Sequence, residues 1–336
     1  MTVTIAAFDP RTADDAVLAA AHHVYVTAEV ECDPDGPLTP REELVADWRS
    51  RPDFRPSRWW LAVDDEQPVG LACLELNRYM LEHAELELDV LAEHRRRGAG
   101  TALLSVAADT AAAAAKRSLT AFAQEGSPGG SALRRWGFEH RYVERRSRLL
   151  TADLDRALLE GWVKQAEERA GDYELVGWTG STPDELLAEF AEIQHVMNTA
   201  PLDDLDWPDE AFDPERARAT DQWLADSGRP LWVLAARHRP SGVLAGYTAI
   251  VLHDHRPNYA EQGDTGVDPA HRNRGLGRWL KAVIALRLLD EAPEVAMVDT
   301  WNAESNDAML GINVAMGFRP HTAWGGWQID IADLTG

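Results

Sequence analysis

Two hexapeptides of the form Arg-x-x-Gly-x-Gly are the residues in this chain best placed to do chemistry: Arg95 to Gly100 and Arg272 to Gly277. Each follows a Val-x-x-x-His, Val90 to His94 and Val267 to His271, and each stands between a β-like run and an apolar helical run. In the second copy Gly275 and Gly277 clear side chains from the backbone. Arg272 and Arg274 add positive charge where a helix begins and its dipole is already positive. Such a turn suits a pyrophosphate. Neither copy is a dinucleotide fingerprint, since Gly-x-Gly-x-x-Gly is missing, and neither is a P-loop, since no Gly-Lys-Ser/Thr follows.

The elements that must hold these turns also occur twice. The two loops lie 272 − 95 = 177 residues apart, and two later markers, Gly137-Phe138 with Gly317-Phe318 and Ala152-Asp-Leu154 with Ala332-Asp-Leu334, recur at an offset of 180. A length of 336 residues suits two domains of about 150 each. The pattern predicts an N-terminal module over 1–154, a helical connection over 155–172 and a C-terminal module over 173–336. Within each, a short strand and helices precede a hairpin (59–63 with 69–76, then 231–236 with 243–252), followed by the strand, loop and helix of the anion turn. In the strand His83 to Val90, Glu85, Glu87 and Asp89 alternate with Ala84, Leu86 and Leu88. That acidic row reads as a solvated or arginine-paired face, or as a groove for a cation.

Composition narrows the partners. A formal charge of −23 repels nucleic-acid backbones, so general nucleic-acid binding is not expected, and an acidic surface favours a cationic acceptor. No apolar run approaches the ~20 residues of a membrane span, so no membrane partner is expected. Cys32 and Cys73 form neither a disulfide framework nor a metal pattern, so a cytoplasmic location is expected and no metal is.

The paired loops, each between strand and helix and each followed by Gly-Phe, resemble the acetyl-CoA loop of the GNAT N-acetyltransferase superfamily. The resemblance covers both modules and implies an α/β (α+β) fold. Each module would be a mixed, mostly antiparallel sheet flanked by helices, with two central strands splayed to admit acetyl-CoA. It implies that Val267, Arg272, Asn273, Arg274, Gly275, Leu276 and Gly277 cradle the CoA pyrophosphate, and that Asn302 and Asn306 contact the pantetheine arm. Asn302 and Asn306 also suit helix capping. Histone-type members carry a general base eleven residues before the loop arginine, which is Glu261 here; a lone Glu near a strand start also reads as an edge charge. Tyr259, His253 and His255 are nearby substitutes. Many members place an acidic Tyr four residues before Gly-Phe, where this chain has Asn313 and, in the first module, Leu133.

The resulting expectation is an N-acetyltransferase that moves an acetyl group from acetyl-CoA to a primary amine of a small molecule by direct attack, as a monomeric pseudo-dimer or a homodimer. A non-catalytic acyl-CoA sensor or scaffold and a protein-lysine acetyltransferase are the alternatives. At the constant offsets, Thr300, Asn302, Asn306 and Asn313 lie opposite Thr120, Phe122, Gly126 and Leu133, and Glu261 lies opposite Ala84. The C-terminal module is therefore expected to be the active one and the N-terminal module degenerate. Asp203, Asp204 and Asp206 are a candidate acceptor wall or a solvated loop.

Overall fold

Caps and turns in the first repeat mark out β1 (Thr4–Phe8), α1 (Asp15–Cys32), α2 (Arg41–Ser50), β2 (Ser57–Asp64), β3 (Gln67–Glu75), β4 (His83–Val90), α3 (Ala99–Ala113), β5 (Ser118–Gln124) and α4 (Pro128–Arg135). Asp14 caps α1 by accepting from the Val17 amide at 2.9 Å, and Ser127 with Pro128 starts α4. The remainder forms β6 (Glu139–Leu150), α5 (Arg156–Arg169), β7 (Tyr173–Thr179), α6 (Asp184–Gln194), α7 (Pro214–Asp226), β8 (Leu231–His238), β9 (Leu244–Leu252), β10 (Tyr259–Val267), α8 (Leu276–Glu291), β11 (Met297–Ala303), α9 (Asp307–Met316), β12 (Arg319–Asp330) and α10 (Ile331–Leu334). The computed structural model describes residues 3–334. No described helix is long and apolar enough to cross a membrane.

The polypeptide divides into two units. Unit 1 holds Met1–Val143, Leu202–Pro208 and Trp324–Gly336; unit 2 holds Glu144–Pro201 and Asp209–Ala323. Unit 1 is a sheet of order β1-β2-β3-β4-β5 closed by the end of β12, where Trp324 to Asp330 pair antiparallel with Gln124 to Ser118 of β5. Unit 2 is a sheet of order β7-β8-β9-β10-β11 closed by the end of β6, where Leu150 to Glu144 pair antiparallel with Met297 to Ala303 of β11. In each unit one neighbouring pair is parallel, β4 with β5 and β10 with β11. The division expected at residues 154 and 173 follows chain order. The units do not, because each repeat's sheet is completed by a strand from the other half of the sequence.

The cores explain why the exchange holds. Trp327 and Ile329 of β12 are 4% and 7% exposed and pack with Leu86, Leu103, Leu119 and Phe138 of unit 1. In unit 2, Leu149 of β6 packs with Ile250, Val298 and Phe318. Leu159 and Trp162 of α5 lie in that same core, so the helix expected as a connection is part of unit 2. Burying side chains of this size contributes roughly 1.5–3 kcal/mol each. Asp206, one of the three aspartates of the candidate acceptor wall or solvated loop, is exposed and belongs to unit 1, where its carboxylate accepts from Arg117 at 2.6 Å and its amide donates to Gln328 at 3.1 Å.

Fragment 1–154 therefore lacks both core residues of β12 and leaves one edge of β5 unpaired. It is expected to show no cooperative unfolding by calorimetry, and fusing residues 320–336 to it through a flexible linker is expected to restore a transition. A second expectation concerns Lys281, 1% exposed on α8, whose amine burial pushes down to about 7. Its Nζ stands 5.5 Å over the centre of the Phe318 ring. An unfolded lysine titrates near ~10.4, so burial carries no ionisation cost above that pH. The cost grows as pH falls towards 7 and is constant below it. Lys281→Leu, which copies Leu104 of the first repeat, is expected to raise Tm by several degrees at pH 6.5, with the gain shrinking towards pH 10; a gain independent of pH would contradict this.

Candidate active site

The second anion turn is held open by backbone geometry. After β10 a short turn at Pro269–His271 leads to Asn273 (φ 64°) and Gly275 (φ 83°), both left-handed, and α8 starts at Leu276. A Cβ on Gly275 would meet nothing within 4 Å, so the glycine is required by its φ and leaves room in front of the backbone. Among the described residues, the amides from Asn273 to Arg278 donate to no backbone carbonyl. Ordinary helix starts leave about four such donors. Arg272 is braced here: its Nε donates to the Val267 carbonyl at 3.0 Å and its Nη2 to Thr199 Oγ1 at 2.6 Å. Leu276 is buried and anchors the helix, and Gly277 keeps its first turn clear, with Ile312 the nearest atom to an added Cβ at 3.6 Å.

Next to this turn β10 and β11 part. They pair in parallel only over Tyr259↔Met297, Ala260↔Val298 and Glu261↔Asp299, although β10 continues to Val267 and β11 to Ala303. Thr300 Oγ1 donates to the Gln262 carbonyl at 3.1 Å just past the last pair. Beyond it, backbone groups on the facing edges of the two strands have no strand partner. A molecule that carries amides of its own could satisfy them. On its other side β10 bulges: Gln262 faces Ile250 and Thr265 faces Thr248, three residues against two. The Gln262 carboxamide fixes the bulge by donating to Ala249 O at 2.6 Å and Thr248 Oγ1 at 3.1 Å.

One face of the parting strands is ionic. Asp299, 0% exposed, is clamped by Arg146 and Arg148, the latter through two bonds of 2.8 Å. Glu261 is half-buried beside it, with His253 Nε2 at 3.6 Å and Tyr259 Oη at 3.4 Å. Arg256 donates to His253 Nδ1 at 3.1 Å, which leaves the imidazole proton on Nε2, facing Glu261. Tyr259 is 2% exposed, its hydroxyl donating towards Glu261 and Asp299. Burial first, then the two carboxylates, push this phenol well above its usual range. Glu144 of β6, opposite Ala303 on the same face, is raised to about 7 by burial.

The other face carries the asparagines. Asn313 is 1% exposed; its Nδ2 donates to Asn302 Oδ1 at 2.7 Å, and its Oδ1 has no partner among the described residues. A buried acceptor left in that state costs about 1–3 kcal/mol unless a ligand or water donates to it. Asn306 is the N-cap of α9 and accepts from the Met309 amide at 3.2 Å, which satisfies its expected capping role. The fold thus brings Glu261 and Tyr259 together on one face and Asn302 with Asn313 on the other, with the loop residues at the end of β10.

Unit 1 repeats the turn but changes its surroundings. Gly98 is left-handed at φ 95°, and Arg95 Nε again donates to the carbonyl ending the strand, Val90 O, at 2.9 Å. The Arg95 guanidinium, however, is paired twice with Glu31, at 2.6 and 2.5 Å, and the Trp136 ring lies 3.2 Å from where a Gly100 Cβ would be. β4 has no bulge: Glu85 faces Glu75 and Val90 faces Gly70 without a shift. This regularity corrects the constant offset between repeats. Because β10 holds one extra residue, Glu85 and not Ala84 is the counterpart of Glu261. Likewise Asn306 caps α9 as Ser127 caps α4, so Asn306 answers Ser127 rather than Gly126, and by the same one-residue shift along β11 Asn302 answers Ala123. The acidic row of β4 faces Arg51 and Arg55, which pair with Glu75 at 3.6 and 2.7 Å, and burial raises Glu85 and Asp89 to about 7.

Sequence reasoning missed Arg146, Arg148 and Glu144. They lie in the first repeat by chain order, and their signal, an Arg-x-Arg within a strand, has no local meaning until β6 is paired with β11. The chain is similar over 98% of its length, with 25% identity and a TM-score of 0.79, to the tandem GNAT protein from the clavulanic acid biosynthesis pathway, 99% of which is covered. It is similar in fold to a GCN5-related N-acetyltransferase from Sphaerobacter thermophilus (15% identity, 98% and 96% covered, TM-score 0.64). A fungal glucosamine N-acetyltransferase region of a multi-domain β-N-acetylglucosaminidase also shares the fold (11% identity, 98% and 38% covered, TM-score 0.69). Comparison with curated proteins gave no match. The acetyltransferase (GNAT) family model matches residues 21–138 and again 196–311, one match over each parallel-strand gap and its anion turn, and the chain is a tandem member of the GNAT acetyltransferase family.

Proposed function

We propose that unit 2 transfers an acetyl group from acetyl-CoA to a primary amine of a small molecule, the amine taking the group directly and not through an acylated side chain. The observation that carries this reading is the run of unpaired amides from Asn273 to Arg278 at the mouth of a gap between two parting strands. Six N–H donors, Arg274 and the start of α8 suit a diphosphate. The gap's unpaired backbone and Asn313 Oδ1 suit the amides of a pantetheine arm. When bound, the thioester supplies a carbonyl open to nucleophilic attack; the chain binds, orients and moves protons.

Glu261 is the group suited to hold an incoming ammonium and to take its proton, directly or through a water. It is half-exposed on the ionic face, where the Tyr259 hydroxyl donates to its carboxylate at 3.4 Å and His253 Nε2 stands 3.6 Å away. Glu144 and Glu261 on one face favour a cationic acceptor over an anionic one. Tyr259 is read as a positioning residue, since its hydroxyl is buried against two carboxylates. Asn313 cannot serve as an acid. A thiol of ordinary pKa, about 8.5, leaves readily enough for its proton to come from water. Direct transfer is supported by the position of both cysteines in unit 1, where burial raises the Cys73 thiol far above its usual range. Unit 1 is read as the non-catalytic half, because Glu31 occupies its loop arginine and β4 has neither the bulge nor an asparagine pair beside it.

Replacing Gly275 by Val forces a β-branched residue into φ 83° and fills the space before the amides. Gly275→Val is expected to abolish both CoA binding by calorimetry and CoA release with an amine panel, whereas Gly98→Val retains both; the reverse pattern would assign activity to unit 1. Glu261→Gln is expected to lower kcat by about 10²–10⁴ while leaving the Kd for CoA within about twofold. An unchanged pH–rate profile in that variant would remove Glu261 from proton transfer.

A further inference from the structure

Beside the anion turn of unit 2 two imidazoles meet where unit 1 has an imidazole and a carboxylate. His271 ends the short turn before Arg272, and the ring of His238, the last residue of β8, lies 4.9 Å from it. In unit 1 the corresponding residues are His94 and the last residue of β2, Asp64, whose Oδ2 is 4.0 Å from His94 Nδ1. A carboxylate there opposes binding of an anion. Two adjacent histidines repel when charged and call for an anion.

The pair in unit 2 presents Nε2 donors when the neighbouring hydroxyls donate to each Nδ1. His271 Nδ1 is bonded to Tyr173 Oη at 2.7 Å and His238 Nδ1 to Ser241 Oγ at 2.8 Å. With each Nδ1 held by a hydroxyl, both Nε2 positions remain for an outside partner, and no described residue takes them. Tyr173 wedges the cluster, its ring 5.7 Å from His271 and 5.1 Å from His238, and the Arg274 guanidinium stands 5.9 Å over the same ring. Both imidazoles are half-buried, and Arg274 is exposed. In a chain of net charge −23 this places two ring nitrogens and a guanidinium next to a turn already suited to phosphate.

We propose that His238, His271 and Arg274 form a subsite for the 3′-phosphate of the CoA nucleotide, one ribose away from the diphosphate held by the loop. This rests on the assignment of CoA to the turn of unit 2 and adds to it a requirement for a phosphomonoester. The subsite makes unit 2 discriminate CoA from dephospho-CoA, and Asp64 deprives unit 1 of the same discrimination.

The test is calorimetric binding of CoA and dephospho-CoA to the full chain and to His238→Asp, which installs the residue found in the first repeat. Charge-assisted hydrogen bonds of this kind change affinity by about ten- to a hundredfold. The native chain is expected to bind CoA tighter than dephospho-CoA by that factor. His238→Asp is expected to abolish most of the difference while leaving dephospho-CoA affinity within about twofold, which also shows that the variant is folded. His271→Gln is expected to reduce the difference in the same way. Equal binding of both ligands by the native chain, or an equal loss for both ligands in the variants, overturns the subsite alone. Binding of neither ligand overturns the assignment of the turn as well.

Discussion

The parting of β10 from β11 after Glu261↔Asp299 is the constraint on which unit 2 depends. Each strand is held on its outer side, β10 by β9 on both sides of the bulge and β11 by β6 throughout, so neither can curl away to satisfy its inner edge. Asp299 fixes the point of departure. Arg146 and Arg148 hold its buried carboxylate, and truncating one partner of such a cluster would leave an uncompensated charge, at a cost of about 3–5 kcal/mol. The bulge pinned by Gln262 then turns the rest of β10, and with it the anion turn, relative to the part that is paired. Loop, gap and ionic face are consequences of one interrupted strand pair.

The strand exchange gives that constraint a second meaning. The arginines that clamp Asp299 come from a segment that follows the first repeat's helices, so unit 2 is incomplete without sequence from the other half. Unit 1 depends in the same way on Trp327 and Ile329 from the end of the chain. Duplication here has not produced two self-sufficient domains. The surroundings of the two turns differ, with Glu31 placed on Arg95 and Trp136 placed against Gly100 in unit 1.

Much of this was legible in the sequence. The Arg-x-x-Gly-x-Gly turns are read from glycines whose backbone demands are local, and the strand–loop–helix order follows from periodicity. Asn306 was legible as a cap for the same reason. What could not be read was anything set by partners distant in the chain. Arg146 and Arg148 acquire a role only through pairing of β6 with β11, 144 to 150 against 297 to 303. The match of Glu261 to Ala84 failed because a bulge adds a residue without leaving a local signal stronger than Gly263. Tyr259 illustrates a different limit: its type suits proton transfer, and only its burial against two carboxylates argues otherwise.

The central claim is that unit 2 holds CoA with its diphosphate on the amides from Asn273 to Gly277 and its pantetheine arm between β10 and β11. A crystal structure of the CoA complex tests this most directly. The account predicts phosphate oxygens within hydrogen-bond distance of those amides and a donor from the ligand on Asn313 Oδ1. A complex with CoA only between β4 and β5, against Gly98 and Gly100, would contradict it.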